Sequence, residues 1–276
     1  MSRRQAQRVD FMPTLINPGQ LSAQCRGLWY GDGGFTTLRV VAGAACFWPR
    51  HLERLQDLAR VLDLQVNWDD LHIALNWVVR HMAHGVVKII LCRDEGGRGY
   101  LPPRQEALAL VFYWPDATLT CQPDIPLTLP IEAVSLPVPM GWVSPALRGL
   151  KTLNRLEQVL LRQALEARHS GEGLCFDHAD TLVSGVQSNV FFLRQGRWFT
   201  PGLQHAGIAG TLRAELLDRA AARRVVVEIG SVPRAQVTEL DAVFFCNALR
   251  GMQPVRQLDG RPLNVAAVQQ LHDLLT

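Results

Sequence analysis

The chain has 276 residues, of which 48% are hydrophobic and 19% charged, and its formal net charge is +3. That length and composition exclude a disordered chain and leave room for two domains with separate cores. The charge is spread without a dense basic block, which gives nucleic acid no footprint and would suit a small acidic molecule.

Taken in order, residues 1 to about 12 read as a polar tail, and 14–17, before Pro18-Gly19, as a short strand and turn. Tyr30-Gly-Asp-Gly-Gly-Phe-Thr-Thr-Leu-Arg-Val-Val41 is a glycine turn running into a strand, without the Gly-x-Gly-x-x-Gly order of a dinucleotide site. From Trp48 to Leu64, leucines 52, 55, 58 and 62 recur at helical spacing, with Pro49 near the start. A second amphipathic helix covers roughly 69–83. Apolar strands follow at 86–92 and 107–113, with the loop Arg93-Asp-Glu-Gly-Gly-Arg-Gly-Tyr100 after the first. There is no strict βαβ rhythm, so an α+β first domain is expected.

Prolines crowd the stretch from Pro115 to Pro145, which places a domain boundary between about 115 and 125 and gives domains of 1–118 and 119–276. A helix is expected from near Asn154 to about His169, with Leu156, Val159, Leu160 and Leu165 on its apolar side. Residues 173–176, 181–193 and 198–199 read as a strand meander. Gly207-Ile-Ala-Gly-Thr-Leu-Arg213 opens a helix to about Arg224; 225–229 and 242–246 are strands, and a last helix starts near Val265.

The six cysteines are scattered, with no Cys-x-x-Cys pair, and some lie in apolar runs such as Val243-Phe-Phe-Cys246. Buried thiols in a reducing cytosol are expected rather than disulfides or zinc ligands, and no metal site. No apolar h-region follows Arg3-Arg4 and no run reaches membrane-spanning length, so a soluble cytoplasmic protein is expected.

Three features stand above background. Of 28 basic residues only two are lysines, Lys88 and Lys151, and only lysine among the basic side chains can form a Schiff base. Lys151 follows a Pro/Gly-broken segment and precedes a helix; the alternative is a solvated lysine on a loop. Gly207-x-x-Gly210-Thr211 opens a helix whose free N–H groups make a phosphate seat, or else is a plain helix cap. Arg54 is a candidate second clamp on the same phosphate, or a solvated cation. A lone amine and a phosphate seat together point to pyridoxal phosphate.

Gly149-Leu-Lys-Thr-Leu-Asn-Arg-Leu-Glu-Gln-Val-Leu160 closely resembles the cofactor-lysine segment of the aminodeoxychorismate lyases, a branch of the class IV (D-amino-acid-transaminase-like) pyridoxal-phosphate enzymes. The glycine turn at 30–37, His51-Leu-Glu-Arg-Leu, the loop 93–100 and Cys246-Asn-Ala extend the resemblance from about Thr14 to the final helix. It implies an α+β / α/β fold of two domains with pyridoxal 5'-phosphate in the cleft between them, usually as a homodimer. It further implies that Lys151 binds the cofactor covalently, and that Arg54, Gly210, the amides of Thr211 and Leu212, and Asn247 hold its phosphate. Thr36 would face the substrate and exchange protons with it, while Arg98, Tyr100 and Lys88 would take its carboxylates. The substrate implied is the small molecule aminodeoxychorismate.

Two positions depart from the family pattern. Thr211 stands where relatives usually carry an aliphatic residue. More consequentially, Ser184-Gly-Val-Gln-Ser-Asn189 keeps the asparagine of Glu-x-x-x-x-Asn but replaces the glutamate that keeps the pyridine nitrogen protonated. A hydroxyl cannot hold a pyridinium as a carboxylate does, so the ring nitrogen is expected to be neutral and the electron sink weaker. Asp180, four residues earlier, would need a distorted strand to take over. The substitution weighs against a transaminase more than against a lyase, whose elimination gains from making an aromatic ring. A class IV aminotransferase for D- or branched-chain amino acids and a scaffold that has lost catalysis remain the alternatives.

Overall fold

The computed structural model describes residues 7–8, 21–94, 99–102, 105–116, 119 and 125–276. The chain divides into two compact units: residues 1–122 with 150–154, and 123–149 with 155–276. The stretch around Lys151 therefore groups with the first unit, although the chain on both sides of it belongs to the second.

The first unit is built on an antiparallel sheet of β1 (Gln7–Arg8), β2 (Gly33–Val41), β3 (Ala44–Ala45), β4 (Gly85–Arg93) and β5 (Ala107–Pro115), in the order β1-β5-β4-β2-β3. Within the expected tail, Gln7 and Arg8 thus pair with β5, whereas the strand and turn expected at 14–19 lie outside the described residues. The short helix α1 (Arg26–Tyr30) precedes β2, and α2 (Trp48–Leu62) and α3 (Trp68–His81) follow β3. Pro49 fits the first turn of α2, where its missing N–H costs nothing. The Asn67 side chain caps α3 by accepting from Asp70 N, with Asp69 and Asp70 in the first turn and Arg80 and His81 in the last. One face of the sheet (Leu38, Val40, Val87, Ile89, Leu91) packs with Leu55 and Leu58 of α2 and Leu71, Leu75 and Val78 of α3 into a single core. Each such side chain, fully buried, contributes about 1.5–3 kcal/mol.

The second unit centres on a nine-stranded sheet. Its strands are β6 (Ile131–Ser135), β7 (Glu172–Phe176), β8 (Leu182–Gly185), β9 (Asn189–Arg194), β10 (Arg197–Pro201), β11 (Val227–Gly230), β12 (Ala242–Asn247), β13 (Gly251–Leu258) and β14 (Arg261–Pro262). The order is β11-β10-β9-β12-β13-β6-β7-β8, with β14 on β13. The expected meander is therefore cut in two. Val186-Gln187-Ser188 breaks the run 181–193 into β8 and β9, and β12, β13 and β6 stand between β9 and the pair β7–β8 in the hydrogen-bonding order. The helices are α4 (Leu156–Glu166), α5 (Thr211–Ala222) and α6 (Val265–Leu275). In α4 the buried leucines are Leu161 and Leu165, whereas Leu156, Val159 and Leu160, expected on the apolar side, are exposed within this chain.

Candidate active-site groups

Lys151 lies on a short extended stretch that lengthens the first sheet. Phe35 N donates to Lys151 O at 2.9 Å, Leu153 N donates to Gly33 O at 3.0 Å, and Gly34 pairs with Thr152 antiparallel. This pairing sets Lys151 opposite Phe35. Strand alternation sends Thr152, which is buried, to the core side and Lys151 to the other side. Gly34 permits the approach, since a Cβ there would stand 2.5 Å from Lys151 O and 2.7 Å from Leu58 Cδ1. The Lys151 ammonium lies 4.8 Å from the centroid of the Phe35 ring.

Lys88 is on β4 opposite Thr37, and its ammonium lies 4.6 Å from the same ring centroid. Burial pulls the Lys88 amine below its ordinary pKa. The chain's two lysines thus share one ring. Pattern reading missed Phe35, whose only signal is its place between the glycine turn and Thr36-Thr37.

Thr36, expected to face the substrate, is on the core face of β2 and fully buried, with Oγ1 2.5 Å from His51 Nδ1. His51 is itself fully buried on α2, and burial together with the Arg54 charge one turn on lowers its pKa to about 3, so the ring is neutral. His51 Nε2 is a buried atom with no hydrogen-bond partner among the described residues. Burial also lowers the Arg54 pKa to about 10.

Tyr100 is exposed and meets Tyr30 edge to face at 5.7 Å. Its carbonyl and that of Gly99 accept from the buried Arg26 guanidinium at 3.0 and 2.9 Å. Arg26 in turn shares the Asp32 carboxylate with Arg93, at 2.9 and 3.0 Å. Arg98 lies outside the described residues.

In the second unit, Gly210 is the N-cap of α5 and no side chain caps the helix, which leaves its first N–H groups for an anion. Thr211 and Leu212, next in the helix, are buried. Asn189 Nδ2 donates to Ile208 O at 2.9 Å, and Ala209 N donates to Gly149 O at 2.9 Å. Asn189 Oδ1 would lie 1.9 Å from a Cβ at position 210, so only glycine fits beside it.

Asn247 spends its side chain within the unit. Its Oδ1 accepts from Leu249 N and Arg250 N at 3.0 and 2.8 Å, and its Nδ2 donates to Ser188 Oγ at 3.2 Å. Ser188 Oγ donates to Glu172, whose carboxylate also accepts from Gly173 N and Val186 N. Burial raises the Glu172 pKa, against the pull of those three donors and of Arg250.

The class IV amino-transferase profile matches residues 33–258, from the first glycine of β2 to the end of β13. The chain belongs to this class IV family. It is 28% identical over 237 residues to an aminodeoxychorismate lyase of Vibrio harveyi, covering 83% of this chain and 84% of that protein. A branched-chain-amino-acid aminotransferase of Escherichia coli is 24% identical over 280 residues, covering 94% and 87%. The crystal structure of a 4-amino-4-deoxychorismate lyase from Pseudomonas aeruginosa superposes with a TM-score of 0.76 at 35% identity, covering 93% of this chain and 94% of that one.

Class IV enzymes use pyridoxal 5'-phosphate, and the residues present fit it. The first unit offers an amine held on a strand, and the second an uncapped helix start that only glycine can form. Position 184, where the resemblance leads one to expect a glutamate, carries a serine. Ser184 is buried, and its hydroxyl donates to Gly185 O at 2.8 Å. Asp180 is exposed and paired with Arg234 at 2.8 Å. Glu172 is close in the fold but on the opposite face: a Cβ on Gly185 would meet Phe245 and Glu172, whereas Ser184 Oγ turns to Met140 Sδ. Asp180 and Glu172 are thus both engaged away from the Ser184 side chain.

Proposed function

We propose that this class IV enzyme is a carbon–oxygen lyase that releases pyruvate from 4-amino-4-deoxychorismate and leaves 4-aminobenzoate, as in folate synthesis. The observation that carries this reading is Ser184, with no carboxylate at its position to keep a pyridine nitrogen protonated. Relatives and structures bearing the lyase name support it. The aminotransferase relatives favour a second reading, amino-group transfer from a branched-chain or D-amino acid.

In the lyase reading Lys151 binds the cofactor covalently, and Arg54 with the amides of Thr211 and Leu212 behind Gly210 holds the phosphate. Ser184 would be the residue offered to the pyridine nitrogen. Asn189 and Asn247 shape the seat: Asn189 Nδ2 donates to Ile208 O, and Asn247 Oδ1 accepts from the turn after β12. Thr36 Oγ1 is hydrogen-bonded to His51 Nδ1 and so serves by fixing the helix that carries Arg54. Arg98, Tyr100 and Lys88 take the substrate's carboxylates.

When bound, pyridoxal 5'-phosphate would supply an electron sink for the carbon that bears the substrate amine. Lys151 Nζ removes the proton from that carbon. The electron pair left behind completes the aromatic ring as the C–O bond to the enolpyruvyl group breaks. The departing enolpyruvate takes up a proton, supplied from Lys151, and becomes pyruvate. Aromatisation drives the step, so a weak electron sink suffices.

The test is pyruvate release from aminodeoxychorismate beside amino transfer to a 2-oxo acid, for wild type, Lys151→Ala and Ser184→Glu. Pyruvate release that falls by about 10³-fold or more in Lys151→Ala is expected. Amino transfer without pyruvate release, or a fully active Lys151→Ala, would sink the reading. Ser184→Glu is expected to raise amino transfer relative to elimination. A homodimer in the cytosol completes the proposal, supported by the free buried thiols and by apolar side chains exposed near Tyr100.

A further inference from the structure

The chain's two lysines converge on Phe35 for a reason built into the strand pairing. Lys151 stands opposite Phe35 on one side of β2, while Lys88 stands opposite Thr37 on the other, two residues along the same face. Both ammonium nitrogens are within 4.8 Å of one ring centroid. The other charged or titratable groups that β2, β4 and β5 put on that face are Arg39, which is buried, and Cys92. The Cys92 thiol is pushed up by its contact with Cys25 and by burial, and so stays neutral. Among the described residues these strands place no carboxylate on the face.

We infer that Lys88 is a positioning residue that acts through charge: it and Lys151 are a coupled pair of amines across Phe35, so that the Lys88 ammonium favours the neutral, proton-accepting form of Lys151. This rests on the reading of Lys151 as the reactive amine. Two like charges beside an apolar ring, out of full contact with water, repel far more than they would in bulk solvent. The first proton then leaves the pair at a lower pH than it would leave an isolated lysine. Burial also lowers the Lys88 pKa, so the coupling acts below the Lys88 midpoint, where that ammonium is still present. A substrate carboxylate drawn to Lys88 would relax the coupling and return basicity to Lys151 when the proton has to be taken.

With two lysines in the sequence, the pair can be read directly. Reductive ¹³C-methylation of the full-length chain, freed of cofactor, labels Lys88, Lys151 and the N-terminal amine, and nuclear magnetic resonance follows each through a pH titration. Lys151 is expected to titrate below an ordinary lysine, and Lys88→Gln to raise its midpoint by about half a pH unit or more. Lys88→Arg, which keeps the charge, should leave the midpoint where it is in wild type. An unmoved Lys151 midpoint in Lys88→Gln, or a Lys88→Arg variant that titrates like Lys88→Gln, would each overturn the inference. Cofactor binding is scored separately by absorbance on unmethylated protein. A chain that takes up no pyridoxal phosphate would count against the function proposed above and leave the amine titration to be judged by itself.

Discussion

Thr36 and His51 close a buried polar pair under β2, and the imidazole is held neutral. Its pKa of about 3 lies below the ordinary 6.5, so the unfolded chain takes up a proton that the fold refuses. The contribution to stability is complete above about pH 6.5 and is lost as the pH falls toward 3, by at most about 1.4 kcal/mol per pH unit. Urea unfolding at pH 7.5, 6 and 5 should therefore show wild type losing stability more steeply than His51→Gln; parallel curves would contradict the assignment. Single residues also mark how far sequence reading reached. The scarcity of lysine and the uncapped Gly210 were legible because each depends on residue type alone. The turning of Thr36 toward the core was not, because Thr36 and Thr37 are alike in composition and only the pairing of β2 decides which one faces the helices.

Elements show the same division. Helices α2, α3, α5 and α6 were legible from leucine spacing and from turn residues, as were the long strands of the first unit. The Lys151 stretch read as a loop because three residues carry no period, and its extended form comes from Gly33 and Phe35, more than a hundred residues earlier in the sequence. Strands β6 and β13 were hidden in the same way, β6 by a proline-rich stretch and β13 by Pro254 within its span. Glu172 went unnoticed since nothing in Gly171-Glu-Gly173 distinguishes it from a solvated carboxylate. In the fold it is fully buried and fastens the turn between β8 and β9 through Val186 and Ser188, and through Ser188 the Asn247 side chain. Glu172→Ala would strand two buried N–H groups, a loss of about 2–4 kcal/mol on urea denaturation. The same variant should bind pyridoxal phosphate more weakly by absorbance titration. A variant as stable as wild type would mean that water replaces the carboxylate.

Across the whole molecule, no helix among the described residues is long and apolar enough to cross a membrane. Leu28, Trp29, Tyr100 and Leu101 are exposed, and Trp29, Tyr30 and Tyr100 form a run of ring contacts, an apolar surface suited to a second copy of the chain. Sedimentation should give twice the chain mass for wild type and the single mass for Trp29→Glu; a wild-type protein sedimenting as one chain would remove the homodimer from the proposal. The boundary near 118 was an expectation legible only as a change in proline content. That residues 150–154 belong to the first unit was not, since composition cannot report a strand borrowed from farther along the chain.

That borrowed strand has a bearing on how this protein could be dissected. Severing the chain just after residue 122 would not yield two self-sufficient halves: the leading piece would keep β2 with a bare flank at Gly33–Phe35, and the Lys151 amine would travel on the trailing piece, parted from Phe35 and Lys88. Neither fragment would hold both lysines at that ring, and the pair could return only through their reassembly.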